Sequence, residues 1–176
     1  MKLSLQPLMY RISTSMLRPF AVTCLVAVAS LGWTGWAAAA ACSSTNYSLN
    51  TQAEVDALGA TGCDSVSGYL TIRDSSDITN LDGLENLTSV GGYLRISNNA
   101  ALNKLGGLDN FAPVGLAKLT SVGGSLTIAE NAALTNLDGL ASLTSVGGFL
   151  WISGNFALTH LGGLASPTRL GGLANL

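Results

Sequence analysis

The chain has 176 residues, of which 48% are hydrophobic, 10% are charged and 21 are glycine, a composition that supplies a core to bury and excludes a disordered tail or a coiled coil. Its formal charge of −2 conceals an asymmetry: Lys2, Arg11 and Arg18 precede the first apolar segment, and the remainder carries five basic residues against all ten acidic ones. That distribution argues against nucleic acid as a partner, because Arg73, Arg95, Lys104, Lys118 and Arg169 lie scattered among a larger number of carboxylates, without the basic stripe that displaces counterions.

From the N-terminus, residues 1 to 19 are basic and free of acids, Phe20 to Leu31 is apolar, and Ala37 to Ala41 offers the small residues that a signal peptidase requires. Residues 1–41 therefore read as a secretory signal peptide, with Gly32, Thr34 and Gly35 diluting the apolar helix. Two alternatives stay open: an uncleaved anchor, since nothing between Phe20 and Ala53 is charged, and lipoprotein processing at Cys42. After cleavage no membrane span remains, which places the protein outside the cell or in the cell envelope.

Cys24 leaves with the signal, so Cys42 and Cys63 remain as one pair in an oxidising compartment, where a disulfide is expected. Between them, Thr51-Gln52-Ala53-Glu54 has the spacing of a capping box at a helix start. The helix should run to about Leu58 and be ended by Gly59 and Gly62. Residues 42–65 read as an N-terminal cap, which a solenoid needs because its end otherwise exposes apolar side chains and open strand edges.

Residues 66–176 repeat. Val66, Val90, Val122 and Val146 open successive units, and Leu170 opens a partial one. A glycine pair (Gly91-Gly92, Gly123-Gly124, Gly147-Gly148) follows the valine and allows positive φ where the chain turns. Strict alternation then predicts a strand whose inward residues are Leu70 and Ile72, Leu94 and Ile96, Leu126 and Ile128, Leu150 and Ile152. Three residues past each isoleucine stands Ser75, Asn99, Asn131 or Asn155, a column suited to bonding buried backbone groups as a structural ladder. Gly83, Gly107, Gly139 and Gly163 each precede a leucine, at Leu84, Leu108, Leu140 and Leu164.

Val66 to Val90 and Val122 to Val146 are both steps of 24 residues, but Val90 to Val122 is 32, so an eight-residue insertion containing Pro113 and Gly115 should protrude as a loop between Leu108 and Leu119. No coil buries enough apolar surface to stand alone, so the units must stack strand beside parallel strand. In the last unit the chain stops at Leu176, taken as the position of Ile152, and the C-terminal end of the repeat run reads as incomplete.

The cysteine-flanked capping segment, the xLxI strands, the asparagine column and the LxGLxxLxxVGG pattern together resemble the receptor L-domain, the leucine-rich β-helix of insulin- and epidermal-growth-factor-type receptor ectodomains and its bacterial surface-protein relatives. The resemblance covers roughly Cys42 to Leu164. It implies a β-solenoid in the form of a right-handed single-stranded parallel β-helix, and a ligand-binding role.

Chemistry-bearing patterns are missing. His160 occupies the column of Asn80, Lys104 and Asn136 and reads as a solvated turn residue, with no nucleophile motif to serve. No phosphate-binding glycine loop or calcium-binding nonapeptide is present, so neither enzyme activity, cofactor nor metal is expected. What functional signal exists lies in three outward strand columns: Tyr69, Tyr93, Ser125, Phe149; then Thr71, Arg95, Thr127, Trp151; then Arg73, Ser97, Ala129, Ser153. Exposed aromatics and arginine are what recognition surfaces enrich. Tyr69, Tyr93, Arg95, Phe149 and Trp151 are therefore the ligand-binding candidates of a recognition module for protein or carbohydrate, the alternative being a spacer segment of a larger surface or adhesion protein.

Overall fold

The computed structural model describes residues 40–109, 112–164 and 169–174. The expected signal peptide lies outside them, apart from Ala40–Ala41, which form a short strand, β1. Next come β2 (Tyr47–Leu49), helix α1 (Gln52–Ala60) and β3 (Cys63–Val66). The first full coil adds β4 (Leu70–Ser75) and a 3₁₀ turn at Asp82–Leu84. The second holds β5 (Ser89–Val90), β6 (Leu94–Asn99), β7 (Gly106–Asp109) and β8 (Ala112–Gly115). The third holds β9 (Ser121–Val122), β10 (Leu126–Ala129) and a 3₁₀ turn at Asp138–Leu140. The fourth is β11 (Ser145–Ser153) with a turn at Gly162–Leu164, followed by β12 (Arg169–Ala174).

All of these strands except β7 and β8 build two parallel ladders. One runs β1-β3-β5-β9-β11 and the other β2-β4-β6-β10-β11, so the nine-residue β11 passes through both, and β12 pairs with it. One strand per coil was expected; the Ser-Val dipeptide that precedes each glycine pair adds a second, two residues long. Register is constant through the long ladder: Leu70 faces Leu94, Leu94 faces Leu126 and Leu126 faces Leu150. Like side chains therefore stack on like. The leucine and isoleucine of β4, β6 and β10 are all fully buried, each such side chain contributing about 1.5–3 kcal/mol. On the turn half of the last coil the burial fails, and Leu161 is 40% exposed where Leu81, Leu105 and Leu137 are fully covered.

The first rung is built by the capping segment itself. Tyr47 faces Leu70 and Leu49 faces Ile72, while α1 takes the place that a 3₁₀ turn holds in later coils and packs on the turn at Asp82–Leu84. Thr51 Oγ1 accepts from Glu54 N at 3.3 Å, and Glu54 Oε2 accepts from Thr51 N at 3.1 Å, completing the capping box. Val55 and Leu58 are the residues it buries. The helix runs two residues past the expected end, through Gly59, because there the missing side chain is needed for contact and not for a turn: a Cβ on Gly59 would collide with the backbone of Gly83 in the next coil. Cys42 and Cys63 form the expected disulfide, with Cα atoms 4.9 Å apart.

Three further expectations are corrected. The glycine pairs do not have positive φ; a Cβ on Gly123 would meet the carbonyl oxygen of Gly91, and one on Gly147 that of Gly123, so the pairs exist to let stacked corners touch. Left-handed backbone occurs instead at Asp74, Asn98 and Glu130, each at φ 56°, and at Gly154 at 65°, one residue before each member of the Ser75-to-Asn155 column. The insertion is an antiparallel hairpin, β7 on β8, and it displaces the repeat alignment. Leu116 N donates to Leu105 O as Leu84 N does to Leu81 O and Leu140 N to Leu137 O. Leu116, fully buried and preceded by Gly115, thus fills the column assigned to Leu108, which lies in the hairpin opposite Pro113. Gly-Leu stands at both edges of the insertion, so the pattern alone could not choose. Finally, β12 slips by one: Leu170 faces Val146 but Leu173 faces Leu150, because Leu-Gly-Gly-Leu is one residue shorter than Val-Gly-Gly-Phe-Leu. The expected equivalence of Leu176 and Ile152 lies outside the described residues.

Candidate functional site

Alternation along β4, β6, β10 and β11 sends the second side chain of each pair outward, and constant register sets these outward residues in rows across the sheet. Thr71, Arg95, Thr127 and Trp151 are register partners in one such row. Phe149 is 61% exposed, Tyr93 43% and Trp151 38%, while Tyr69 is half-buried and Arg95 exposed. The five candidates therefore share one face. They do not form one cluster.

Tyr69 and Tyr93 stack with centroids 4.9 Å apart and planes 6° from parallel, which is the strand spacing imposing ring stacking. In the next coil the column has Ser125, so the stack breaks before Phe149. Ser125 Oγ accepts from Phe149 N at 3.1 Å, holding the corner that carries the phenyl ring.

Arg95 and Trp151 are fixed by one device. Arg95 Nε donates to Ser97 Oγ at 3.0 Å and Trp151 Nε1 donates to Ser153 Oγ at 2.7 Å, each to the serine two residues on along its own strand. Ser97 is only 4% exposed, although its position is outward. Thr71 is also covered, at 7%, with Oγ1 donating to Tyr47 O at 3.4 Å. These pinning serines were not singled out from the sequence; the signal was present as an Arg-x-Ser and a Trp-x-Ser on predicted strands, where residues i and i+2 share a face.

Coil three contributes only Ser125, Thr127 and Ala129 outward. The result is a trough of about 610 Å³ lined by Arg95, Ser125, Thr127, Ala129, Glu130, Phe149, Trp151 and Ser153. A second depression of about 440 Å³ lies over Tyr69, Thr71, Tyr93 and Arg95, and it shares Ser125 and Thr127 with the trough. Among the described residues the one salt bridge is Arg73 Nη1 to Asp74 Oδ2 at 3.6 Å, and Arg95 has no acidic partner there.

The asparagine column sits behind this face. Asn99 and Asn131 are fully buried, Ser75 is buried and Asn155 half-buried. Asn99 Nδ2 donates to Ile72 O, Asn131 Nδ2 to Ile96 O and Asn155 Nδ2 to Ile128 O, at 2.9 to 3.1 Å. His160 is exposed, and its Nδ1 accepts from Gly162 N at 3.3 Å. Asn80 and Asn136 do the same for Asp82 N and Asp138 N, so the imidazole substitutes for an asparagine in closing a turn. Among the described residues no three His, Cys, Asp or Glu side chains come together as a metal site, and no helix is long and apolar enough to cross a membrane.

Compared with known families, residues 62–160 match the receptor L domain, a non-catalytic, ligand-binding type of extracellular module. No curated protein and no solved structure matches the chain. Over half of the sequence thus carries the family's pattern, on the parallel ladders described above, and the chain belongs to the receptor L domain family.

Proposed function

We propose that this protein is a non-enzymatic recognition module of the cell exterior or envelope that binds a protein or a glycan through the outward face of β4, β6, β10 and β11. The observation that carries this reading is the exposure of Tyr93, Phe149 and Trp151 on a single sheet face beside Arg95, which makes no salt bridge among the described residues. Indole and phenyl rings offer large contact area with few rotors to freeze, and a soluble surface rarely leaves them together without a use. The family type and the Cys42–Cys63 disulfide both support an extracellular setting. On the same reading residues 1–41 are removed as a signal peptide, 42–65 cap the solenoid, and the coils of 66–176 wind right-handed, the hand that parallel crossovers take.

A spacer role in a larger surface protein is the second reading, favoured by the regular threonine rungs, in which Thr88, Thr120 and Thr144 each donate a hydroxyl to the preceding coil. A glycan array and an envelope-extract pull-down separate the two, run with wild type and with Trp151→Ala/Arg95→Ala. Loss of a captured ligand with folding unchanged supports the strand face. Equal capture by both proteins overturns it.

A further inference from the structure

Resting on the reading that the strand face binds ligand, we infer that the trough over β10 is a seat for an acidic saccharide chain, with one sugar ring held between Arg95 and Trp151 and a carboxylate on Arg95. The walls stand on β6 and β11, two strand spacings apart, or about 9–10 Å. A single ring layer in contact with both walls needs about 7–8 Å. One ring fits, and two do not.

The walls are set before any ligand arrives. Ser97 holds the guanidinium and Ser153 holds the indole, so little side-chain freedom is left to lose on binding. Trp151 offers a flat apolar face, and Arg95, bound through Nε, still has its terminal N–H groups for a carboxylate. Among the described residues Arg95 makes no salt bridge, the one that forms being between Arg73 and Asp74. Glu130 also lines the trough, three residues beyond the Thr127 that faces Arg95, and its charge disfavours an acid group beside it, which orients a charged chain.

The floor decides between a saccharide and a peptide. Ser125 and Thr127 present hydroxyl groups at the bottom, which suit the polar rim of a pyranose and not an apolar side chain. β10 is hydrogen-bonded to β6 on one side and β11 on the other, so an extended peptide finds no free main-chain edge to pair with. The three outward positions of coil three span about 13 Å along the strand, enough for a short oligosaccharide.

The experiment titrates the full chain with uronic-acid oligosaccharides and with the same oligosaccharides after carboxyl reduction, by calorimetry and by the shift of the Trp151 indole N–H resonance. Wild type should bind the acid form about tenfold or more tightly than the reduced form. Arg95→Gln should erase that preference, and Ser125→Phe, which fills the gap in the aromatic column, should abolish binding of both with the circular dichroism spectrum unchanged. Lys118→Gln, a cation off this face, should change neither. Equal affinity for acid and reduced forms, no binding of either, or binding that survives Ser125→Phe overturns the inference. The broader reading is judged separately: a neutral or protein ligand lost on Trp151→Ala/Arg95→Ala leaves strand-face recognition standing while the acidic saccharide fails.

Discussion

Asn131 Oδ1 accepts two hydrogen bonds from Asn99, one from its backbone N–H and one from its side-chain amide, both at 3.1 Å. Asn155 Oδ1 does the same for Asn131 at 3.0 and 3.2 Å. Each of these side chains thus braces the coil before it through both its amide oxygen and its amide nitrogen. Asn131→Leu removes an acceptor and a donor at once and leaves groups of Asn99 and Ile96 buried without partners. Each orphaned group costs about 1–3 kcal/mol, so the urea midpoint should fall by the equivalent of at least about 2 kcal/mol. An unchanged midpoint would show that water reaches the column.

The ladder has a defect at its first rung. Asn99 Oδ1 is buried without a hydrogen-bond partner, because the preceding coil carries Ser75, whose hydroxyl turns instead to Asp77 and the N–H of Ile78. Ser75→Asn restores an amide donor where one is missing. Stability at neutral pH should rise by about 1 kcal/mol, read from a denaturant melt. A loss would mean that the local serine turn outweighs the ladder.

Glu130 occupies left-handed backbone at φ 56°, in a column where the other members are aspartate, asparagine and glycine. A side chain without local hydrogen bonding pays about 1–2 kcal/mol for that conformation, whereas asparagine tolerates it. Glu130→Asn should therefore stabilise the protein by about 1 kcal/mol. Thermal and urea melts together check it, and a destabilised variant would locate a role for the carboxylate.

Gly123→Ala tests why the glycine pairs are there. Its φ is not left-handed, so a backbone-conformation argument predicts little effect. The collision of the new Cβ with Gly91 O predicts a loss of about 1–3 kcal/mol from overpacking. Only the second outcome fits stacked corners in contact.

Asp77 should give the protein an acid limb. Its carboxylate accepts from Ser75 Oγ at 2.6 Å and from Gln52 N at 3.3 Å, at the start of α1 in the coil before, and the Ser75 hydrogen bond chiefly holds its pKa below the ordinary 3.8. A carboxyl with a depressed folded pKa adds stability above its unfolded value, and the addition is lost as pH falls through the folded one. The difference in stability between wild type and Asp77→Asn should therefore be flat above about pH 5 and shrink below about pH 4. A difference that persists at lower pH would rule this carboxylate out as its source.

Much of the architecture was legible because its rules are periodic. Leucine and isoleucine at alternate positions gave the inward face, and the repeat distance gave the register, since stacking puts Leu94 against Leu126 whatever lies between them. What stayed hidden depended on aperiodic detail. Leu108 and Leu116 follow glycine equally well, and only the bond from Leu116 to Leu105 distinguishes them. Tyr47-Ser48-Leu49 lacks the xLxI signature yet makes the first rung, because tyrosine fills the column of Leu70. In the candidate site the large residues could be read and the small ones could not. Ser97, Ser153 and Ser125 look like ordinary outward serines until the side chains they pin, or the ring they omit, are in view.

The hairpin of β7 and β8 adds eight residues to one coil, yet Leu94 still faces Leu126 and Thr127 still faces Arg95. A single residue missing from the corner before Leu173 moves the register of β12 by one. Length is thus tolerated on one side of the coil and not on the other. The turn side is where new segments can be grafted, between Leu81 and Leu84 or between Leu137 and Leu140, without altering the distance between Arg95 and Trp151. Such a protein can change what it displays at its edge while the spacing across its flat face stays fixed by the backbone alone.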